Sequence, residues 1–466
     1  MVDHGAVWRR LESVLGPKGF SRDPDRVSPK LSEWRDRWRG QTPFLALPST
    51  TEEAARTVQI CVEAGLPMTP QGGNTGLVGG QIPQGEVLIS TERLSAIREV
   101  NLADDVLVAE AGATLAAVQD ASAAVGRRFP LDLASAGSAT IGGLVSTNAG
   151  GTAVLRYGTM RHLVLGLEAV LPNGEIWRGL RRLRKDNTGY DLKQLLIGAE
   201  GTLGLVTAAS LKLTPSLASR AVAMVGVASP QAAVNLLTLT RDIVGEDLEA
   251  FELIGRLGIA LAVRRRGAPE PLRDCPPWYV LIEVATARTA AAPLMIETLL
   301  TEAFDRGLVS DAVIAASESQ AKALWALREG QSEAQKGEGP VWKHDVATPV
   351  SRIAEFVETA SEALQARYPG VQIDAFGHVG DGNIHFDVLP PIGGDWNAHL
   401  AAREEASRIV YDLVVAIEGS ISAEHGLGVL KSDAARAYKD PSEVHALEAV
   451  RRALDPRRLM NPRVLF

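Results

Sequence analysis

The pattern of apolar and polar positions changes texture several times along the chain. Residues 1 to about 42 read as polar and helical and close on a charged run at 33–37. Thr50, with Glu53 three residues later, predicts a capped helix start. Ala54, Val58 and Cys61 share the apolar face of that helix, and Gly65 would end it. A short segment at 66–70 leads into a glycine-rich loop. The apolar runs at 87–89 and 106–109 predict strands, and 115–124 a helix. This α/β alternation continues to about residue 215. Beyond Ser219 the strand-like runs 221–227 and 278–284 alternate with alanine-rich helices at 231–244 and 290–305. That pattern predicts an antiparallel sheet covered by helices. The expected fold class is α+β: a helical segment over 1–42, a two-part α/β domain over 43–217, an α+β domain over 218–425, and a helical segment over 426–466.

Composition narrows the field. A chain of 466 residues exceeds one ordinary core. With 46% hydrophobic and 22% charged residues it has a globular make-up. A net charge of −8 gives no general attraction to nucleic acid or anionic lipid. Two cysteines, Cys61 and Cys275, cannot build a disulfide framework and are expected to pack. The first ten residues do not form a signal peptide, and no apolar run is long enough to span a membrane. A cytoplasmic protein is expected.

The first chemical signal is a set of small-residue loops. Residues 70–80 read PQGGNTGLVGG. Such a loop lets the main chain approach a ligand, and its free N–H groups form an anion-binding concavity. Asn74 and Thr75 add short polar side chains. Residues 130–151, PLDLASAGSATIGGLVSTNAGG, form a second loop, where Thr140 would cap a short helix and Gly142 and Gly143 would leave room for a flat ring. A third, GAEGTLGLV, covers 198–206. None matches the Rossmann or P-loop fingerprint. Three such loops in one domain point to an extended ligand.

These loops, with RYG at 156–158 and NTGYD at 187–191, resemble the FAD domain of the vanillyl-alcohol oxidase / p-cresol methylhydroxylase superfamily. The resemblance implies that Gln71, Gly72, Gly73, Asn74, Thr75 and Gly76 cradle the pyrophosphate. It sets Pro130, Asp132, Gly137, Ser138, Thr140, Gly142, Gly143, Asn148 and Gly151 along the ribityl chain and isoalloxazine. Glu200, Gly201 and Val206 would lie near ribose and adenine. The first two loops contain no histidine, so FAD is expected to be non-covalent, and His162 to be structural.

The second signal lies in the other half. Residues 376–387 read FGHVGDGNIHFD, and 419–428 read GSISAEHGLG. Glycines between His378 and His385 predict a tight turn that brings both imidazoles to one side. Two imidazoles suit zinc or a similar divalent ion, which needs a carboxylate from elsewhere, and Glu424 supplies one. Each histidine alone reads more readily as a buried, hydrogen-bonded residue. Together they read as a site.

Both runs resemble the D-2-hydroxyglutarate / D-lactate dehydrogenase branch of that superfamily, which includes the glycolate oxidase flavoprotein subunit. The resemblance implies metal ligands His378, His385 and Glu424 and a general base His425. It implies substrate-binding Arg328, Ser332 and Lys343, and Asn461 returning to the flavin. Asp387 stands where the hydroxyglutarate enzymes carry Asn, a departure that leaves the far end of the substrate open. The expected reaction is FAD-dependent oxidation of a small D-2-hydroxy acid, with electron-transfer flavoprotein or a quinone as acceptor and a homodimer as one possible assembly. A metal-free oxidase of the superfamily, or a flavoprotein subunit of a larger complex, are the competing readings. The basic residues Arg178, Arg181, Arg182, Arg184 and Lys185 read as a solvated face.

Overall fold

A computed structural model describes residues 4–465; residues 1–3 of the expected N-terminal segment, and Phe466, lie outside them. The chain divides into two compact units. One comprises Met1–Gly151, Tyr157–Ser216 and Glu424–Phe466, the other Thr152–Arg156 and Leu217–Ala423.

The first unit begins with helix His4–Leu15, which buries Val7, Leu11 and Leu15 at successive i+4 positions. Among the described residues of the expected 1–42 segment, helical structure is limited to this helix, Pro24–Val27 and one short turn of 3₁₀ helix, and Phe20–Ser21 is a strand. The helix Thr51–Ala64 starts on Thr50, whose side chain accepts the N–H of Glu53 at 3.0 Å. Glu53 returns the bond to the N–H of Ser49, at 2.7 Å, rather than to Thr50. Gly65 ends the helix in the left-handed region at φ 67°.

Two main sheets follow. In the four-stranded one, Val87–Ser90 lies between Leu45–Ala46 and Met68–Gln71, parallel to both, and Phe20–Ser21 completes the edge. Helix Thr51–Ala64 supplies the crossover that parallel strands require. The five-stranded sheet is wholly antiparallel, ordered Ile97–Asn101, Val106–Glu110, Leu205–Lys212, Val164–Val170, Ile176–Gly179. The α/β alternation is therefore confined to the smaller sheet: turn 102–105 is too short for a crossover, so its strands pair antiparallel.

The C-terminal segment belongs to this unit, and Glu424 and His425 travel with it rather than with the preceding domain. Hydrogen bonds dictate this. Met460 bridges Met68 in parallel. Asn461 donates its side-chain amide to the carbonyls of Gly80 and Glu200, at 3.0 and 2.8 Å. Buried Arg451 spans the carbonyls of Met460, Asn461 and Val464.

The second unit carries a seven-stranded antiparallel sheet ordered Asp311–Ile314, Ser219–Val227, Trp278–Thr286, Leu248–Gly255, Gln372–His378, Asn383–Leu389, Trp342–Ala347. Helices Pro230–Val244, Ala291–Asp305, Ile353–Arg367 and Trp396–Ala416 cover one face; Arg256–Arg266, Glu318–Glu329 and Gln331–Ala334 cover the other. Cys61 is packed in the first unit, and burial pushes its thiol up to about 12. Cys275, expected to pack, is exposed in a loop at φ 45°.

Candidate active site

In the first unit the loops enclose a cavity of about 710 Å³. Its wall includes Gln71, Gly72, Gly73, Asn74, Thr75, Gly76, Ser138, Thr140, Gly142, Gly143, Glu200, Gly201, Val206 and Asn461, with Glu424 and His425. Pro130, Asp132, Gly137, Asn148 and Gly151 lie off that wall. Among them, a Cβ on Gly151 would fall 2.0 Å from the carbonyl of Asp132, and Asn148 accepts the N–H of Arg161 at 3.0 Å. His162 also lies outside the wall and is exposed. Trp34 and Leu133 line it without having been singled out in the sequence.

Several features of the cavity fit a dinucleotide. Buried Oδ1 of Asn74, Oγ1 of Thr140, Oε1 of Gln71 and Oδ1 of Asn461 have no hydrogen-bond partner. Such groups are costly unless a ligand or water meets them. Gly73 permits the loop-to-loop approach, because a Cβ there would fall 1.8 Å from the carbonyl of Ser138. Thr140 begins the helix Ile141–Ser146 but makes no side-chain cap bond, which leaves its hydroxyl toward the cavity. Gly142 serves packing, since its Cβ would strike the Cβ of Ala111 at 2.7 Å, whereas a Cβ on Gly143 would meet only Thr140 Oγ1, at 3.5 Å. Glu200 sits on the wall, but its carboxylate is engaged by the N–H groups of Leu427 and Gly428, both at 2.8 Å. Burial pushes that carboxyl above its usual range, and the two N–H donors work against the shift.

In the second unit, strand period 2 sorts the side chains. Register pairs His378 with Asn383, Phe376 with His385 and Asp345, and Asp374 with Asp387 and Lys343. All these point to one sheet face. The turn at 379–382 brings the His378 and His385 rings to 6.1 Å between centroids. The intervening positions point to the opposite face. There Trp342 stacks on His399 at 3.9 Å, and His344 Nδ1 meets the carbonyl of Phe386 at 2.8 Å. These two histidines are structural.

Glu252, on strand Leu248–Gly255, braces the polar face. Its Oε1 lies 2.6 Å from His378 Nδ1, and its Oε2 accepts Arg328 Nε at 2.7 Å. Burial alone would raise this carboxyl, but the charges of His378 and Arg328 outweigh it and hold it at about 2. Arg328 also lies over the Phe376 ring, at 5.1 Å. Lys343 pairs with Asp387 at 2.9 Å and donates to Gln335, whose amide in turn donates to Asp374 at 2.8 Å. Ser332, on Gln331–Ala334, is half-buried. Glu252, Asp345, Asp374 and Gln335 were not anticipated. The one available signal was the presence of acids in a mostly apolar strand, Glu249 and Glu252.

Comparison with known proteins decides the family. The model of "FAD linked oxidases, C-terminal domain" matches residues 216–465, more than half the chain, and that of "FAD binding domain" matches 42–179. The chain belongs to the FAD-linked oxidase family. Its similarity to a Bos taurus mitochondrial D-2-hydroxyglutarate dehydrogenase is 38% identity over 455 residues, covering 97% of this chain and 82% of the relative. To a Xanthomonas citri pv. viticola D-2-hydroxyglutarate dehydrogenase it is 36% over 460 residues, covering 98% and 96%. Among solved structures, p-cresol methylhydroxylase matches with TM-score 0.75 at 14% identity, over 99% of this chain and 97% of that one, and shares the fold. As a member of this family the chain is an FAD-dependent oxidoreductase, and its α+β architecture is the one the loops implied.

Proposed function

We propose that this FAD-linked oxidase oxidises a small D-2-hydroxy acid to the 2-oxo acid. The observation that carries the reading is the polar sheet face of the second unit, where two imidazoles and two cations share one side. The relatives named as D-2-hydroxyglutarate dehydrogenases support the substrate class.

In this reading Arg328 grips the substrate carboxylate. Glu252 takes only its Nε, so the Nη edge remains for a second carboxylate, the bidentate geometry that favours Arg. Ser332 adds a hydroxyl. His425, on the wall of the flavin cavity, removes the 2-hydroxyl proton, a step suited to a neutral imidazole. The hydrogen on C2 leaves with both bonding electrons. Bound FAD supplies the hydride acceptor at N5. The loops 71–76 and 138–143, Gly201, Val206 and Asn461 hold that cofactor.

A divalent metal is part of the same proposal, with His378, His385 and Glu424 as its ligands. His378 has its Nδ1 held by a carboxylate, as metal-binding imidazoles commonly do, which directs Nε2 to a ligand. His385 lies with Asp345 at 3.8 Å, and Glu424 is the further carboxylate. Zinc is the proposed ion, and bound there it would lower the pKa of the substrate hydroxyl. Electron-transfer flavoprotein or a quinone is the proposed acceptor, since the chain has no Rossmann fingerprint for NAD.

The test is the visible flavin spectrum under anaerobic conditions, before and after a panel of D- and L-2-hydroxy acids. Bleaching by D-acids alone supports the reading. A flavin that no hydroxy acid reduces refutes it. Chelation that leaves bleaching intact would remove the metal.

A further inference from the structure

The polar face of the second unit carries more negative charge than a carboxylate-binding site needs. Asp374, Asp387 and Lys343 stand in one row across three neighbouring strands, as direct register partners. Lys343 donates to Asp387 at 2.9 Å, and the Asp387 side chain is only 4% exposed. From the covering helices Gln335 closes the row, accepting from Lys343 and donating to Asp374 at 2.8 Å. Arg328 is balanced in turn by Glu252 at 2.7 Å. Two cations thus meet two ion-paired carboxylates, with a third carboxyl, Asp374, buried beside them. Each of the two cations is already paired with a carboxylate of the protein.

We propose that Asp387 is a specificity-determining residue: by taking Lys343 into an internal ion pair it restricts the enzyme to 2-hydroxy acids with one carboxylate. The inference rests on the D-2-hydroxy acid reading above and deepens it. One substrate carboxylate finds the Nη edge of Arg328. A second, on the substrate's far end, would have to displace Asp387 from Lys343 or lie beside Asp387 as a like charge. Like charges a few ångströms apart in a partly buried site repel strongly, and a displaced Asp387 would be a buried carboxylate without its counterion. An uncharged tail meets neither penalty.

The same logic accounts for Gln335. A neutral side chain that donates to one acid and accepts from the lysine joins the row without adding charge. Asp374 Oδ1 is buried without a partner, and burial, opposed by the Gln335 bond, pushes its carboxyl up to about 7.

The experiment measures anaerobic flavin reduction in the FAD-loaded enzyme with D-lactate and D-2-hydroxybutanoate against D-malate and D-2-hydroxyglutarate. The wild type is expected to favour the monocarboxylates at least tenfold in second-order rate constant. Asp387→Asn keeps the shape and frees Lys343, and should move the ratio toward the dicarboxylates by at least tenfold, about 1.4 kcal/mol. A wild type that prefers a dicarboxylate overturns the inference while leaving the D-2-hydroxy acid reading intact. So does a soluble, flavin-loaded Asp387→Asn enzyme with an unchanged ratio. Should that variant not fold, the wild-type preference alone decides. Silence toward all four acids and every other D-2-hydroxy acid removes both readings.

Discussion

Glu200 binds the loop that carries His425: its Oε1 accepts the N–H of Leu427 and its Oε2 that of Gly428, each at 2.8 Å. The two bonds span more than two hundred residues of sequence. They tie a wall of the flavin cavity to the segment bearing the proposed base. Gly426 completes the fit, since a Cβ there would lie 2.8 Å from Glu200 Oε1, at a φ of 75°. Glu200→Gln replaces one acceptor with an N–H₂ group facing an N–H. We expect a loss of about 1–3 kcal/mol in a denaturant melt. Because the loop positions His425, substrate-driven flavin reduction should slow while flavin content per chain stays near normal. A variant with unchanged reduction would show that the clamp does not position the base.

Gly73 gives the sharpest test of the flavin loops. A methyl group there would fall 1.8 Å from the carbonyl of Ser138, and main chain cannot yield as a flexible side chain can. Gly73→Ala should purify with little or no bound flavin, read as the ratio of 450 nm to 280 nm absorbance. Gly137→Ala, off the cavity wall and with nothing within 4 Å of its Cβ, should keep its colour. Equal flavin content in the two variants would contradict the assignment of loop 71–76.

How much of this could be read beforehand depended on sequence distance. The Thr50 cap and the Gly65 stop involve neighbours, and local chemistry sufficed to place that helix. The His378–His385 pair needed only a glycine turn between two extended arms, so both imidazoles could be set on one side. Glu252 was invisible because its partners lie 76 and 126 residues away in the chain. Only the sheet order, with Leu248–Gly255 beside Gln372–His378, brings them together. Pro130, Asp132 and Gly151 lie off the cavity wall, and a Cβ on Gly151 would fall 2.0 Å from the carbonyl of Asp132, so glycine in that loop also serves close packing. The five-stranded sheet was read as part of an α/β alternation because short strands and short helices look alike in either setting.

His425 and His378 should separate in their kinetics. His425→Ala should retain FAD and slow flavin reduction by roughly 10²–10⁴-fold, the range for a lost general base. His378→Ala should lose bound metal, measured by elemental analysis, and its residual reduction should be indifferent to chelators. A metal-loaded and fully active His378→Ala would remove that histidine from the ligand set. Glu252→Gln should resemble the His378 variant and be less stable as well, because Arg328 would then be a buried charge without its carboxylate.

Asp374 predicts an unusual pH dependence of stability. It is fully buried, and burial raises its carboxyl from the ordinary 3.8 to about 7; the bond from Gln335 opposes this and the charge of Asp387 adds to it. Below pH 4 both folded and unfolded chains hold the proton. Between 4 and 7 the unfolded chain releases it and the folded chain does not, so stability falls as pH rises through that window. The full penalty is on the order of 4 kcal/mol above pH 7, from about three pK units at 1.36 kcal/mol each. Asp374→Asn carries no such proton. It should gain on the wild type by roughly 2–3 kcal/mol between pH 5 and 7 in chemical denaturation. It also places an amide near Gln331 Oε1, which is buried without a partner and, like Asp374 Oδ1, lies within 3 Å of where a Cβ on Gly258 would stand. A stability difference between the two proteins that stays flat across that range would mean that Asp374 ionises in the folded chain as freely as in the unfolded one.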